Sequence, residues 1–253
     1  MSEWYKSWFN RKEYLELYKH RDRRDASKIV ELIISETNLR KGAEVLDMAC
    51  GNGRHSILFA RRGFSTIGID LSRFLISEAR KMLQKHRGKF NLAFKIQDMR
   101  EMKWENRFDL AVNLFTSFGY FPARKDDIRV IRNIYRALKK GGYFVLDFIN
   151  SIHIRNNLKT LDVKNINNSI VIQVREIINN YVRKTILIAK NNPNGNTPFL
   201  EKFYEQIRLY SYDELKAMLE GNGLSILKIF GDYNGNKFSI SKSERLIIIA
   251  VKV

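Results

Sequence analysis

The chain of 253 residues contains one cysteine, Cys50. A lone thiol excludes an internal disulfide and leaves no cysteine-based metal cluster; no metal site is expected. No apolar run approaches the roughly 20 residues that a membrane-spanning helix needs, so no membrane partner is expected. The opening stretch MSEWYKSWFNRKEYLELY carries charges throughout and lacks the apolar core of a secretory leader. Together these absences predict a cytoplasmic protein. Acidic residues are also scarce: 27 Asp and Glu face 45 Lys and Arg, a formal net charge of +18. Such a field attracts nucleic acid, acidic lipid head groups or anionic metabolites. The basic residues are scattered, however, and the one cluster at helical spacing, Lys125, Arg129, Arg132 and Arg136, lies opposite the apolar stripe Ile128, Ile131, Tyr135 and Leu138. That pattern predicts a solvated helix face before it predicts a binding patch.

What is present is an ordinary globular composition, 44% hydrophobic and 28% charged. The pattern predicts helices over 11–20 and 25–37, then a short buried strand over 43–48. A helix follows over 54–62, a strand over 65–69 closed by Asp70, and a helix capped by Ser72 and running to Lys85. Strands over 90–96 and 108–114, the basic helix over 124–139 and a strand over 143–149 complete the alternation. Strands alternating with helices imply βαβ units and a parallel sheet whose ligands gather at the carboxyl ends of the strands. After residue 150 the pattern changes. Two β-rich runs, 169–178 and 181–190, meet at Asn179-Asn180 as a hairpin, a polar turn fills 191–198, and 199–210 alternates as a third strand. Ser211 caps a helix to Glu220, and strands over 224–231 and 245–253 end the chain. The expected fold is an α/β, Rossmann-like, mostly parallel seven-stranded sheet with its last strand antiparallel. Residues 1–150 and 211–253 form it, and 151–210 are inserted as a three-stranded antiparallel cover.

Chemistry concentrates at three successive strand ends. The first strand runs into Asp47-x-Ala49-x-Gly51-x-Gly53, small residues that let the backbone approach a ligand just before a helix begins. Asp70 ends the second strand, where an acid can accept from both hydroxyls of a ribose. Asp98, ending the third and followed by Met99, suits an adenine amino group and its ring face. Cys50 reads as a small packed hydrophobe. His55 reads as an ordinary helix residue, and His153 as a surface loop histidine or, less simply, a base.

The run VLDMACGNGRHSILFARRGFSTIGIDLS resembles the first two motifs of class I S-adenosylmethionine-dependent methyltransferases. QDMRE resembles the third motif, FDLAVNLFTSFGYF the fourth and LKKGGYFVLDF the fifth. The end segments WYKSWFNRKEYLELYKHRDRR, EQIRLYSYDELKAMLEGNGLSILKIFGDYNG and SERLIIIAVKV resemble a small-molecule subgroup of largely unassigned substrates. The resemblance implies S-adenosylmethionine as cofactor and S-adenosylhomocysteine as product. It implies that Asp47, Ala49, Gly51 and Gly53 line the methionine part, Asp70 the ribose, Leu71, Asp98 and Met99 the adenine, and the backbone near Leu114 the methionyl amine. Tyr18 and Arg21 would close over the carboxylate. Ala49 departs from the glycine that many members carry, a small change.

A sulfonium methyl is already activated, so methyl transfer needs approximation, alignment and dryness rather than a covalent intermediate. Phe118, Tyr120, His153, Arg208 and Tyr210 are candidate acceptor walls, with His153 and Tyr120 the candidates for a catalytic role. Absences narrow the acceptor again. After the fourth strand stands Asn113-Leu114-Phe115-Thr116, not the Asn/Asp-Pro-Pro-aromatic motif of exocyclic-amine nucleobase methyltransferases, and no cysteine nucleophile is near it. A small-molecule acceptor methylated on O or N is expected. The charge keeps open an RNA or protein methyltransferase, or an acceptor that is itself anionic. A nicotinamide oxidoreductase is disfavoured because Ser56 stands at the third glycine of G-x-G-x-x-G. A non-catalytic cofactor sensor is the remaining alternative.

Overall fold

A computed structural model describes residues 3–19, 23–85, 88, 90–167, 169–190 and 199–253. Two short helices, α1 (Trp4–Trp8) and α2 (Lys12–Leu17), precede α3 (Arg23–Thr37). Then come β1 (Glu44–Met48), α4 (Arg54–Arg61), β2 (Ser65–Asp70), α5 (Arg73–Gln84), β3 (Leu92–Ile96), β4 (Phe108–Asn113), α6 (Arg124–Ala137) and β5 (Leu138–Ile149). After α7 (Ser151–Asn156) four strands follow: β6 (Leu161–Ile166), β7 (Ser169–Ile178), β8 (Tyr181–Lys190) and β9 (Phe199–Arg208). The chain closes with α8 (Tyr212–Glu220), β10 (Leu224–Phe230) and β11 (Arg245–Lys252).

The first sheet has seven strands in the order β10-β11-β5-β4-β1-β2-β3. β11 alone runs against its neighbours β5 and β10. The central strands are apolar on both faces because helices cover both, so Val45, Leu46, Leu110, Ala111, Val112, Val145 and Leu146 are all inaccessible to solvent. Strand order reverses between β1 and β4. Their carboxyl ends therefore diverge into a crevice, and the loops after β1 and β4 form its rim. Local chemistry fixes the helix starts: Ser72 Oγ accepts from the Leu75 amide, and Ser211 with Glu214 forms a capping box. On α6, Lys125, Arg129, Arg132 and Arg136 are exposed, as a solvated face requires. Two of them are spent within the fold, Arg132 on Asn222 and Arg136 on the Met102 carbonyl.

The second sheet, β6-β7-β8-β9, is antiparallel throughout and has four strands rather than the expected three. The added strand, Leu-Asp-Val-Lys-Asn-Ile, alternates over only six residues and becomes a strand through its pairing with β7. One face of this sheet buries Val171, Ile186 and Ile188. It also meets the amino-terminal helices, with Trp8 Nε1 donating to Glu205 Oε1 at 2.8 Å and the Trp8 ring 4.8 Å from Phe203. α1 and α7, five and six residues long, are too short to show a helical period in sequence. α6 ends before the glycine pair because Leu138 is already extended and pairs with Phe108. The polar turn over 191–198 lies outside the described residues.

Candidate active site

The turn after β1 brings the small residues into the left-handed region: Ala49 at φ 53°, Gly51 at 57° and Gly53 at 80°. Ala49 therefore pays a backbone cost, about 1–2 kcal/mol for an L-residue, that a glycine would not. The two glycines serve different needs. A Cβ on Gly53 would sit 2.4 Å from Phe94 Cζ, so that glycine lets the start of α4 pack down on the sheet. A Cβ on Gly51 would meet nothing within 4 Å, so that backbone edge faces open space. Asp47, 1% exposed, accepts from Ser56 Oγ at 2.5 Å, and burial pushes its carboxyl up to about 7. Asp70 accepts the Gly51 amide on one oxygen and the Ser72 amide on the other, both at 2.8 Å, which ties the glycine turn to the end of β2. Burial raises its pKa as well. Asp98 is bound by its neighbour, accepting the Arg100 amide at 2.8 Å and its guanidinium at 2.6 Å.

Two cavities meet along this rim. The larger, about 680 Å³, is bordered by Asp47, Ala49, Gly51, Tyr18 and Leu114. The smaller, about 80 Å³, is bordered by Asp70, Leu71, Asp98 and Met99. Tyr14, Ala49, Gly51, Ser117 and Tyr120 border both, so they form one cleft. Nine of the eleven residues expected at the cofactor thus surround one space. Gly53 is the exception in the structure, buried beneath Phe94, and Arg21 lies outside the described residues. The Tyr18 hydroxyl also donates to Glu205 at 2.5 Å and contacts Lys184 Nζ, linking the cleft to the second sheet.

The expected acceptor walls need correction. Phe118 and Tyr210 are fully buried with ring centroids 5.9 Å apart, and the Tyr210 hydroxyl donates to Asp127 at 2.7 Å; both are core. Arg208 turns back to the Pro122 carbonyl at 2.9 Å and stacks over Tyr181 at 4.5 Å. His153 sits on α7 beside Asn157 and borders none of the cavities described here. Of these five, Tyr120 alone borders the cavities. Its hydroxyl donates to the Thr116 carbonyl at 2.6 Å, and its ring borders a further cavity of about 410 Å³. That cavity shares Tyr14, Phe115 and Tyr120 with the larger one and is bordered on the far side by Lys184, Glu205 and Ile207 of the second sheet. Sequence reasoning missed Trp4, Phe9, Tyr14 and Phe115. The aromatic density of the first 20 residues was the available signal.

The wall between these cavities is a strained turn. Phe115 at φ 56° and Thr116 at φ 62° are consecutive left-handed non-glycine residues, and Thr is β-branched. Such strain persists only where the surroundings over-determine it. Here Asp147, fully buried on β5, does so. Its Oδ2 accepts the Phe115 amide at 2.8 Å and the Tyr233 hydroxyl at 3.0 Å, and its backbone carbonyl accepts the Thr116 amide at 3.0 Å. Its Oδ1 takes the Arg245 guanidinium at 2.6 and 2.8 Å, while Arg245 also reaches Thr116 Oγ1 at 2.9 Å.

A glycine turn with acids at three neighbouring strand ends, on this strand order with an antiparallel β11, is the arrangement of the Rossmann-like methyltransferase fold. The chain belongs to the methyltransferase-domain family, whose model matches residues 39–219. Among its relatives is YqeM of Bacillus subtilis, 35% identical over 120 residues, 47% of each chain. Another is the dTDP-3-amino-3,4,6-trideoxy-alpha-D-glucopyranose N,N-dimethyltransferase of Streptomyces venezuelae, 29% identical over 126 residues, 49% of this chain and 48% of the relative. The match thus spans about half the length of each of these two. In fold, the chain resembles an S-adenosylmethionine-dependent methyltransferase of Clostridium acetobutylicum, with a TM-score of 0.79 and 19% identity over 94% of this chain and 97% of that one.

Proposed function

We propose that this enzyme transfers the sulfonium methyl of S-adenosylmethionine to an amine nitrogen of a small molecule seated between the two sheets. One observation carries the reading: the 410 Å³ cavity adjoins the donor cleft, sharing Tyr14, Phe115 and Tyr120 with it, and is bordered on its other side by residues of the second sheet. Residues 151–210 then act as the substrate cover. The lining of the cleft supports the donor reading. Gly51 leaves its backbone edge open, Asp70 and Asp98 flank the small pocket for the adenosine, and the large cavity takes the methionyl part.

The charges around the acceptor cavity favour an amine. Arg245 is paired with Asp147, Lys184 with Glu205 at 2.7 Å, and Arg175 with Asp162 at 4.0 Å. Asp25 borders the same cavity with no hydrogen bond or ion pair among the described residues. The unspent charge is therefore negative, among aromatic rings that attract cations. The relative that methylates an amino sugar has this acceptor chemistry. In the transfer, the nitrogen lone pair forms the new C–N bond as the C–S bond breaks. The sulfonium becomes a neutral thioether, and the positive charge passes to the acceptor nitrogen, which sheds a proton to water. Proximity in a closed cavity supplies the catalysis. Tyr120 contributes its ring as a wall.

The test pairs acceptors that differ in one atom. Nucleotide-linked amino sugars and their hydroxyl counterparts are incubated with methyl-labelled donor and the products resolved by mass spectrometry. Methylated amines support the reading; label found on hydroxyl counterparts alone, or on RNA added at matched concentration, overturns it.

A further inference from the structure

His55 occupies the second position of α4, directly after the glycine turn. It is 6% exposed, and its Nε2 has no hydrogen-bond partner among the described residues. The residue borders the 680 Å³ cavity, with its ring 4.9 Å from that of Phe115. A buried polar atom left unmatched costs the fold stability, and such atoms are rare without a reason. Packing does not supply one, because a phenyl ring would fill the same space against Phe115 without the penalty. Burial, with the Arg54 charge adding to it, pushes the imidazole down to about 3, so the ring is neutral and carries one N–H.

The position says which part of a ligand completes it. Asp70, Leu71, Asp98 and Met99 all border the small pocket and none borders the large cavity, whereas His55 borders only the large one of the two. The adenosine and the amino-acid tail of the donor are thereby separated, with His55 at the tail. α4 also begins at this wall, which places the positive end of its dipole there, and the Arg54 guanidinium lies 4.8 Å over the Phe115 ring beside it. An anion is the group these features have in common.

We infer that His55 is a donor-binding residue, its imidazole N–H completing a hydrogen bond to the α-carboxylate of S-adenosylmethionine at the amino end of α4. The inference rests on the cofactor assignment above and adds a residue to it.

Calorimetry with two probes tests it: S-adenosylhomocysteine, and 5′-methylthioadenosine, which keeps the adenosine and lacks the amino-acid tail. His55→Phe should bind S-adenosylhomocysteine about tenfold more weakly while 5′-methylthioadenosine binding stays within about twofold. The ligand-free His55→Phe protein should melt at or above the wild-type temperature, since an unmatched polar atom is gone. His55→Gln, whose amide can still donate, should recover most of the lost affinity. Unchanged S-adenosylhomocysteine affinity in His55→Phe, or an equal loss for both probes, overturns the inference and leaves the cofactor assignment standing. Wild-type protein that binds neither probe would sink both.

Discussion

The clamp on the Phe115–Thr116 turn makes a prediction that needs no acceptor. Asp147 receives donors on both carboxylate oxygens: Arg245 on one, the Phe115 amide and Tyr233 hydroxyl on the other. Asp147→Asn keeps the size and replaces one oxygen with an NH2 group. Whichever way the amide turns, a donor then faces a donor, and Arg245 keeps its charge with its buried partner neutralised. Removing one member of a buried ion pair costs about 3–5 kcal/mol. The two left-handed residues hold strain of about 1–2 kcal/mol each that the clamp keeps in place. A loss of about 3 kcal/mol or more is therefore expected, lowering the melting temperature by about 10 °C in a chain of this size. Urea unfolding of Asp147→Asn, Arg245→Met and the double variant measures it. If the clamp acts as a unit, the double variant loses less than the sum of the singles by about 1.5 kcal/mol. Single losses under about 1 kcal/mol, or additivity within about 0.5 kcal/mol, would refute the reasoning.

Three further outcomes follow from the cleft. Asp70→Ala removes the acid that flanks the small pocket and anchors Gly51, so S-adenosylhomocysteine affinity should fall by about 1.5–3 kcal/mol in calorimetry; equal affinity contradicts the ribose role. Asp47 has its folded-state pKa raised to about 7, so it stays protonated in the folded chain at a pH where it is ionised in the unfolded one. The contribution of this group is present in full below about pH 4 and is lost as pH rises toward 7. Between about pH 5 and pH 8 the wild type should thus lose about 2 kcal/mol more stability than Asp47→Asn, and parallel pH profiles would contradict this. Gly53→Ala should destabilise the fold by well over 1 kcal/mol through Phe94. Gly51→Ala should cost about 1 kcal/mol in stability yet weaken S-adenosylhomocysteine binding more, because its Cβ projects into open space where the donor lies. A swapped pattern in melting and binding curves would argue against the open-edge reading.

The sequence by itself determined the α/β alternation, the strand ends that carry Asp47, Asp70 and Asp98, and the caps at Ser72 and Ser211. Each of these is written locally, in apolar runs, turn residues and hydroxyls one to three positions from the groups they bind. Only the tertiary structure decided which aromatics form the walls. Phe118 and Tyr210 look like Tyr120 in sequence, but β5, α6 and α8 close over the first two, while α1 and α2 bring Trp4 and Tyr14 to the third. The tie between Asp147, Tyr233 and Arg245, and the unmatched nitrogen of His55, were equally illegible. They arise between residues up to 98 positions apart, where the pairing is fixed by sheet order and helix packing rather than by any neighbour along the chain.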